Sequence, residues 1–414
     1  MMMKNKSTLT PKLRFPEFRD ELGWEEVPLE QIAERTTTKN FDGSIARVLT
    51  NSAEHGIVDQ RDYFDKDIAN AGNIDGYYIV DLGDYVYNPR ISNFAPVGPI
   101  SRNNIGKGVM SPLYTVFRFA EEITDFYQYY FKTASWHFYL RRLSSMGARH
   151  DRMSITTGDF MAMPVPTPPA KEQQKIAECL GSLDGLIAAE GQKLEALRDH
   201  KRGLMQQLFP QPGQTRPRLR FPEFRDKGEW VESTVGSKCK CFSGSTPDTT
   251  RKEFYGGTIP FIRSAEIGSD NIGMFLTEEG FDSSAAKMVA RGDVLVALYG
   301  ANSGDVALAR VDGAINQAIL CLRPEGSKAF LYHYLTHKKA WILATYLQGG
   351  QGNLSGEIVK SVSLRFPLPE EQETVAACLT TLDTRIAAQA AKIETLKQHK
   401  RGLMQQLFPA PEDQ

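Results

Sequence analysis

The feature that most constrains this chain is that it repeats its own boundary segments. KRGLMQQLFP occupies residues 201–210 and returns unchanged at 400–409. PKLRFPEFRD, from Pro11, returns as PRLRFPEFRD from Pro217, with one conservative change. The two spacings differ slightly, so the first copy carries a somewhat longer insert between its matching ends. Boundaries that agree around interiors that diverge predict two variable modules on a duplicated scaffold, a pseudo-two-fold internal repeat.

The stretch before each KRGLMQQLFP copy carries the clearest periodicity. Counting back by heptads, one seam position holds Leu180, Ile187, Leu194, Lys201 and Leu208, and the other Ile176, Leu183, Glu190, Leu197 and Leu204. The second copy places Leu379, Ile386, Ile393, Lys400 and Leu407 at the first position. Its second position holds Val375, Leu382, Gln389, Leu396 and Leu403. Apolar a and d positions sustained over five heptads predict a coiled-coil seam, in which the polar Lys and Glu/Gln positions fix register at some cost in stability. Both segments follow proline-bearing turns with glutamates in the first turn, TPPAKEQQ and LPEEQE, and both stop at Phe-Pro. Intramolecular antiparallel pairing is the simplest arrangement; pairing of each helix with another chain is the alternative.

Between these segments the chain reads as mixed α and β. Apolar runs rich in β-branched and aromatic residues, such as YYIVDLGDYVY from Tyr77 and GDVLVALYG from Gly292, are broken by Gly, Asn and Pro. Each module shows a Gly-Asp before a strand (Gly83-Asp84 and Gly292-Asp293), an Asn-bearing loop, and an aromatic helix from Asp125 or Ala329. A polar glycine-bearing turn and a last short strand follow. The fold class is therefore α+β: two mixed α/β domains joined by two long helices forming an antiparallel coiled coil. The expected boundaries are an arm at 1–20, a module at 21–168, a long helix at 169–210 and a linker repeating the arm at 211–226. A second module at 227–366, a second long helix at 367–409 and a tail at 410–414 complete the chain.

The 414 residues suffice for several hydrophobic cores, and no apolar run is long enough to span a membrane. The polar opening MMMKNKSTLT reads as a frayed start without a secretion signal. Five cysteines, of which only Cys239 and Cys241 lie close together, fit packing thiols in a reducing, cytoplasmic setting. The net charge is −1, yet it is segregated. Acids dominate residues 21–84, whereas residues 85–158 carry Arg90, Arg102, Lys107, Arg118, Arg141, Arg142, Arg149 and Arg152. A basic face of this kind can hold a phosphate backbone; a solvated mixed surface is the plain alternative.

Catalytic signatures are thin. There is no phosphate-cradling G-x-x-x-x-G-K-[ST] and no strand–GxGxxG–helix, and GGQGNLSG at Gly349 has the wrong spacing. Asn88-Pro89-Arg90 only echoes the Asn-Pro-Pro-aromatic tetrapeptide of amino-methyltransferases. His333 and His337, four apart on one helix, lack the glutamate and third ligand of a zinc site, and Cys239-x-Cys241 lacks a partner pair. No metal site is expected. What remains suits base reading, because Arg pairs with guanine edges, Asn and Gln pair with adenine, and Ser and Lys hold phosphates. The candidates are Arg90, Asn93, Arg102, Asn103, Lys107, Arg149 and Arg152 in the first module. In the second they are Arg263, Ser264, Tyr299, Asn302, Asn316, Gln317, Gln351 and Asn353.

Three segments also resemble a known family. LRFPEF followed by Trp24 or Trp230, GSTPDTTRKEFYGGTIPFIRSAEI from Gly244 and PLPEEQETVAACLTTLDTRI from Pro367 resemble the specificity subunit of type I restriction–modification systems, as does the repeated LxxLxxHKRGLMQQLF. The resemblance covers nearly the whole chain. It implies two target-recognition domains that each read one half of a split, asymmetric site in double-stranded DNA, spaced by a coiled coil. It also implies that methyl transfer belongs to partner modification subunits, expected as a pair, and ATP-driven cleavage to restriction/translocase subunits. S-adenosylmethionine, ATP and Mg are then expected on those partners, with no cofactor on this non-catalytic chain and no membrane contact. The rival readings are a coiled-coil adaptor that binds only proteins and a stand-alone nuclease.

Overall fold

The computed structural model describes residues 9–63, 74–120, 125–143, 151–346 and 353–409. The frayed start expected at the N-terminus and the tail at 410–414 lie outside them, except for Leu9 and Thr10. Two compact units emerge: residues 1–189 with 393–414, and residues 190–392. Each unit therefore owns one variable module, the first half of one long helix and the second half of the other.

The long helices run Ala170–Leu208 and Pro369–Leu407, 39 residues each, or about 58 Å at 1.5 Å per residue. Their limits follow the proline signals. Each helix begins just after a Pro-bearing turn whose carbonyl is capped by a first-turn glutamine: Gln173 Nε2 donates to Pro168 O (2.9 Å) and Gln372 Nε2 to Pro367 O (3.0 Å). The helices pack antiparallel, and every predicted seam residue is buried or half-buried. Ile176, Leu180 and Leu407 join the core of the first unit, and Leu208, Val375 and Leu379 that of the second. The polar seam positions are paired as well. Gln389 donates to the backbone carbonyl (2.9 Å) and carboxylate (2.6 Å) of Glu190, which Lys392 also approaches.

The near-identical arms have a structural reason. In the first unit, Arg14 of LRFPEF grips Glu172, in the first turn of the first long helix, with two bonds of 2.7 Å. Next to it, Leu13 N donates to Gln406 O at the far end of the second long helix. The second unit repeats both contacts, with Arg220 on Glu371 (2.8 and 2.7 Å) and Leu219 N on Gln207 O (2.9 Å). Each arm thus ties the start of one long helix to the end of the other. Both ion pairs are almost completely buried, so each charge depends on its partner for solvation. Trp230 adds a third bond to Glu371 (3.1 Å), whereas the buried indole N–H of Trp24 has no partner among the described residues.

The two modules share one antiparallel four-stranded sheet. In the first its order is Ala33–Arg35, Thr115–Phe119, Tyr85–Tyr87, Ile100–Arg102. In the second it is Cys239–Ser243, Ile319–Pro324, Val294–Ala297, Val306–Leu308. A two-stranded ribbon closes each module, Glu25–Pro28 with Pro164–Thr167 and Val231–Thr234 with Ser363–Phe366. The Gly-Asp turns match in detail: Gly83 and Gly292 take positive φ, and the following Asp84 and Asp293 are fully buried. Outside this frame the modules differ, the second adding a further four-stranded sheet and the first two separate ribbons.

One expectation changes. The aromatic helix of the second module is continuous, Lys328–Tyr346, but that of the first breaks into Phe126–Tyr130 and His137–Leu143. Thr133 causes the break locally: its hydroxyl bonds back to Tyr130 O (2.7 Å) and receives Ser135 N (3.3 Å), replacing helical partners with a turn.

Candidate nucleic-acid interface

The strand after each buried aspartate ends in the same backbone link. Five residues beyond Asp84, Pro89 O accepts from Met153 N (2.9 Å), and five beyond Asp293, Leu298 O accepts from Leu354 N (2.9 Å). In the first module Ile91 N also donates to Asp151 O (3.0 Å), making Arg90 and Arg152 an antiparallel bridged pair. They form the pair type flanked by, rather than sharing, hydrogen bonds, which brings side chains closest, with Cα atoms about 4.5 Å apart. Two guanidinium groups therefore leave the backbone side by side. Like charges placed opposite one another destabilise a ribbon, so the arrangement suits an anion that neutralises both. Asp151 Oδ2 stands 3.8 Å from Arg152, and Arg90 has no ion pair among the described residues. Asn93 lies exposed three residues on.

The other first-module candidates lie elsewhere. Arg102 pairs with Tyr85, at the opposite end of the strand from Arg90, and there it contacts Asp125 (2.5 Å). Lys107 reaches Asp81 at 3.3 Å. Asn103 is fully buried, and its amide donates to Asp81 O and Gly106 O at 2.8 Å each, so it holds the turn and has no edge left for a base. Arg118, counted in the basic stretch, is bound to Asp84 (2.6 Å) and Asp81 (2.9 Å). Much of the basic surplus is thus spent inside the module. Arg149 lies outside the described residues.

In the second module the candidates gather at the end of the sheet that matches the Arg90–Arg152 pair. Tyr299 and Asn353 take the positions beside the shared link, and Gly300 N donates to Asn353 Oδ1 (3.2 Å). Asn302 Nδ2 approaches Ser264 O at 3.5 Å. Gln317 and Asn316 sit just before the strand that pairs there, with Thr246 Oγ1 donating to Gln317 Oε1 (2.8 Å) and Gly244 N to Asn316 O (3.2 Å). Gly244 must be glycine, because a Cβ there would stand 1.8 Å from Ile315 O. Arg263 is exposed but engaged by Glu266 (3.0 and 2.9 Å), and this partner, with two backbone N–H groups, holds the carboxyl at about 2. Gln351 lies outside the described residues.

The histidines and thiols behave as packing groups. His333 is buried against Thr380 (3.1 Å), and burial lowers its pKa to about 3. Burial pushes the Cys239 thiol up to about 12. Among the described residues no cluster of His, Cys, Asp and Glu forms a metal site, and no helix is long and apolar enough to cross a membrane. Two kinds of residue escaped the sequence reading. The first is the helix clamp, Arg14–Glu172 and Arg220–Glu371, whose only signal was the conservation of both motifs between the two copies. The second is Phe94, whose exposure no local pattern announces.

Comparison with known proteins follows the same outline. The family model described as the type I restriction modification DNA specificity domain matches twice, over residues 22–199 and 227–398. The type I restriction enzyme EcoR124I/EcoR124II specificity subunit of Escherichia coli is 24% identical over 266 residues, 60% of this chain and 62% of its own. The MjaIX specificity subunit of Methanocaldococcus jannaschii is 28% identical over 195 residues, 44% of each chain. The matched stretches span 61%, 44% and 62% of the first three curated relatives. A chain from a study of assembly and conformational transition of the type I R-M system superposes with a TM-score of 0.58 at 17% identity, over 95% of this chain and 98% of that one. The type I restriction–modification S subunit from M. genitalium gives 0.57 at 13%, over 97% and 99%. At those identities the structures speak for the fold alone. With the family model matched over both modules and most of both long helices, this chain belongs to the type I restriction–modification DNA specificity family.

Proposed function

We propose that this chain reads a bipartite, asymmetric site in double-stranded DNA and directs partner subunits to it. Each module takes one half-site, and the paired helices set the gap between them. One observation carries this reading: the same backbone position, on the same frame, presents Arg90 and Arg152 in one module and Tyr299 and Asn353 in the other. A shared frame with different chemistry at its recognition edge is what two half-sites of different sequence require. Around these residues, Asn93 extends the first reading surface, and Arg149 is assigned to the same half-site from its sequence alone. Arg263, Ser264, Asn302, Asn316 and Gln317 extend the second, to which Gln351 is assigned from its sequence alone.

In this reading the chain is non-catalytic and works in the cytoplasm. A pair of methyltransferase subunits would bring S-adenosylmethionine, and restriction subunits would bring ATP and Mg. The test is retention of a random duplex pool by the chain assembled with its methyltransferase partner, followed by sequencing of the retained DNA. Two short specific blocks separated by a fixed non-specific gap support the reading. Retention of no DNA favours a protein-only adaptor, and cleavage by the chain alone with Mg favours a nuclease.

A further inference from the structure

We infer that Phe94 is a wedge that enters between two stacked base pairs of the half-site taken by the first module, an inference that rests on the DNA-reading function proposed above. Phe94 is 74% exposed, at the tip of a turn closed by Ser92 N to Ala95 O (3.0 Å) and Ala95 N to Ser92 O (3.2 Å). The base of this turn is fixed. Ala95 and Val97 are buried, Tyr87 Oη donates to Val97 O (2.9 Å), and Gly98 takes a positive φ where a Cβ would come within 2.1 Å of Asn88 O. The ring is therefore held out on a short, braced loop.

Single exposed apolar side chains are common and prove nothing alone. The surroundings separate Phe94 from two other exposed apolar residues of its module. Leu82, 67% exposed, lies in the Asp81–Asp84 turn among carboxylates, and Phe41, 78% exposed, is covered by Lys39 at 5.8 Å. Phe94 instead follows Asn93 on the loop that leaves Arg90, directly opposite Arg152. Two cations able to hold phosphates at the base of a loop that carries a braced apolar tip form the arrangement by which proteins pry a base step apart. The phosphate contacts anchor the backbone while the ring replaces a stacking partner.

The test uses the chain assembled with its methyltransferase partner on the selected duplex. A fluorescent base analogue that brightens on unstacking is placed at each position of the first-module half-site in turn, excluding the base that receives the methyl group. In the wild type one position should brighten about threefold or more on binding. Phe94→Ala should abolish that signal and weaken specific binding about tenfold, whereas Phe94→Leu, still an apolar wedge, should keep most of both. Brightening that survives in Phe94→Ala, or its absence at every position of a half-site that footprinting shows to be protected, overturns the wedge. A first-module half-site left unprotected by the wild type overturns the underlying DNA-reading function as well. Unchanged melting of Phe94→Ala checks that the exposed position leaves the fold intact.

Discussion

Lys201 of the first long helix reaches Asp383 of the second at 2.5 Å, and its repeat Lys400 reaches Asp184 at the same distance. The seam lysines are thus matched cations, and the two pairs lock one antiparallel register of the helices. A slip by one heptad would leave each lysine, 13% and 12% exposed, without its carboxylate. Both aspartates are more than a third exposed, so solvent screening keeps each pair modest. Lys201→Ala should cost about 1 kcal/mol in denaturant unfolding. The exchange Lys201→Asp with Asp383→Lys should recover most of what Lys201→Asp alone loses. Equal losses in the single and exchanged variants would show that the pair does not act as a unit.

The arm clamps should matter more. Removing one partner of a buried pair leaves an uncompensated charge, so Arg14→Ala or Arg220→Ala should each destabilise the chain by about 3–5 kcal/mol. Arg14→Lys should not restore stability, because Glu172 is held at two atoms by a planar fork that an ammonium cannot imitate. Amide exchange should localise the effect, with Leu13 N losing protection when Arg14 is cut and Leu219 N when Arg220 is cut. Protection unchanged at both amides would separate the arms from the helix ends.

The extent to which the sequence announced this structure varies with range. Helix limits, seam and repeat were legible because each rests on local signals, proline at the ends and apolar residues every three or four positions. The split of the first aromatic helix was not, since it depends on one threonine hydroxyl competing for a carbonyl. Nor was the division of the basic residues. Arg102, Lys107 and Arg118 read like Arg90 in sequence, and only the fold shows that Asp125, Asp81 and Asp84 consume them. The clamp partners stand on either side of a whole module in the sequence, beyond any periodicity.

Acid should weaken the second module in a defined window. Burial alone would raise the Asp293 carboxyl, but Arg323 and Lys328, both at 2.7 Å, outweigh it and hold it at about 2. A carboxylate depressed in the folded state contributes fully above its unfolded value near 4, and the contribution is lost as pH falls towards about 2. Asp293→Asn should therefore be less stable than wild type at pH 6, with the difference shrinking between about pH 4 and 2. A difference that stays constant down that range would contradict the ion-pair account.

Substitution at the Arg90–Arg152 pair tests whether it meets bases, phosphates or neither. If Arg152 meets a guanine edge, Arg152→Ala should cost about 1–3 kcal/mol on the selected site and relax preference at one position. If it holds phosphate, binding should fall uniformly across sequences and the salt slope should become shallower by about 1. Replacing both with the second module's residues, Arg90→Tyr and Arg152→Asn, should alter one half-site and leave the other unchanged. Unchanged affinity, salt slope and site preference in the assembled complex would remove this pair from the interface.

The central claim, two independent readers spaced by a helical ruler, is tested most directly by inserting one heptad into each long helix. Gln192 and Ala391 are suitable points, midway in sequence between Asp184 and Lys201 and between Asp383 and Lys400. The insertion adds about 10 Å of helix and preserves the seam. Sequencing the DNA retained by the assembled complex should return both half-sites unchanged with the gap lengthened by about three base pairs, at 3.4 Å per step. An unaltered gap with both half-sites retained, or half-sites that change together, would contradict it.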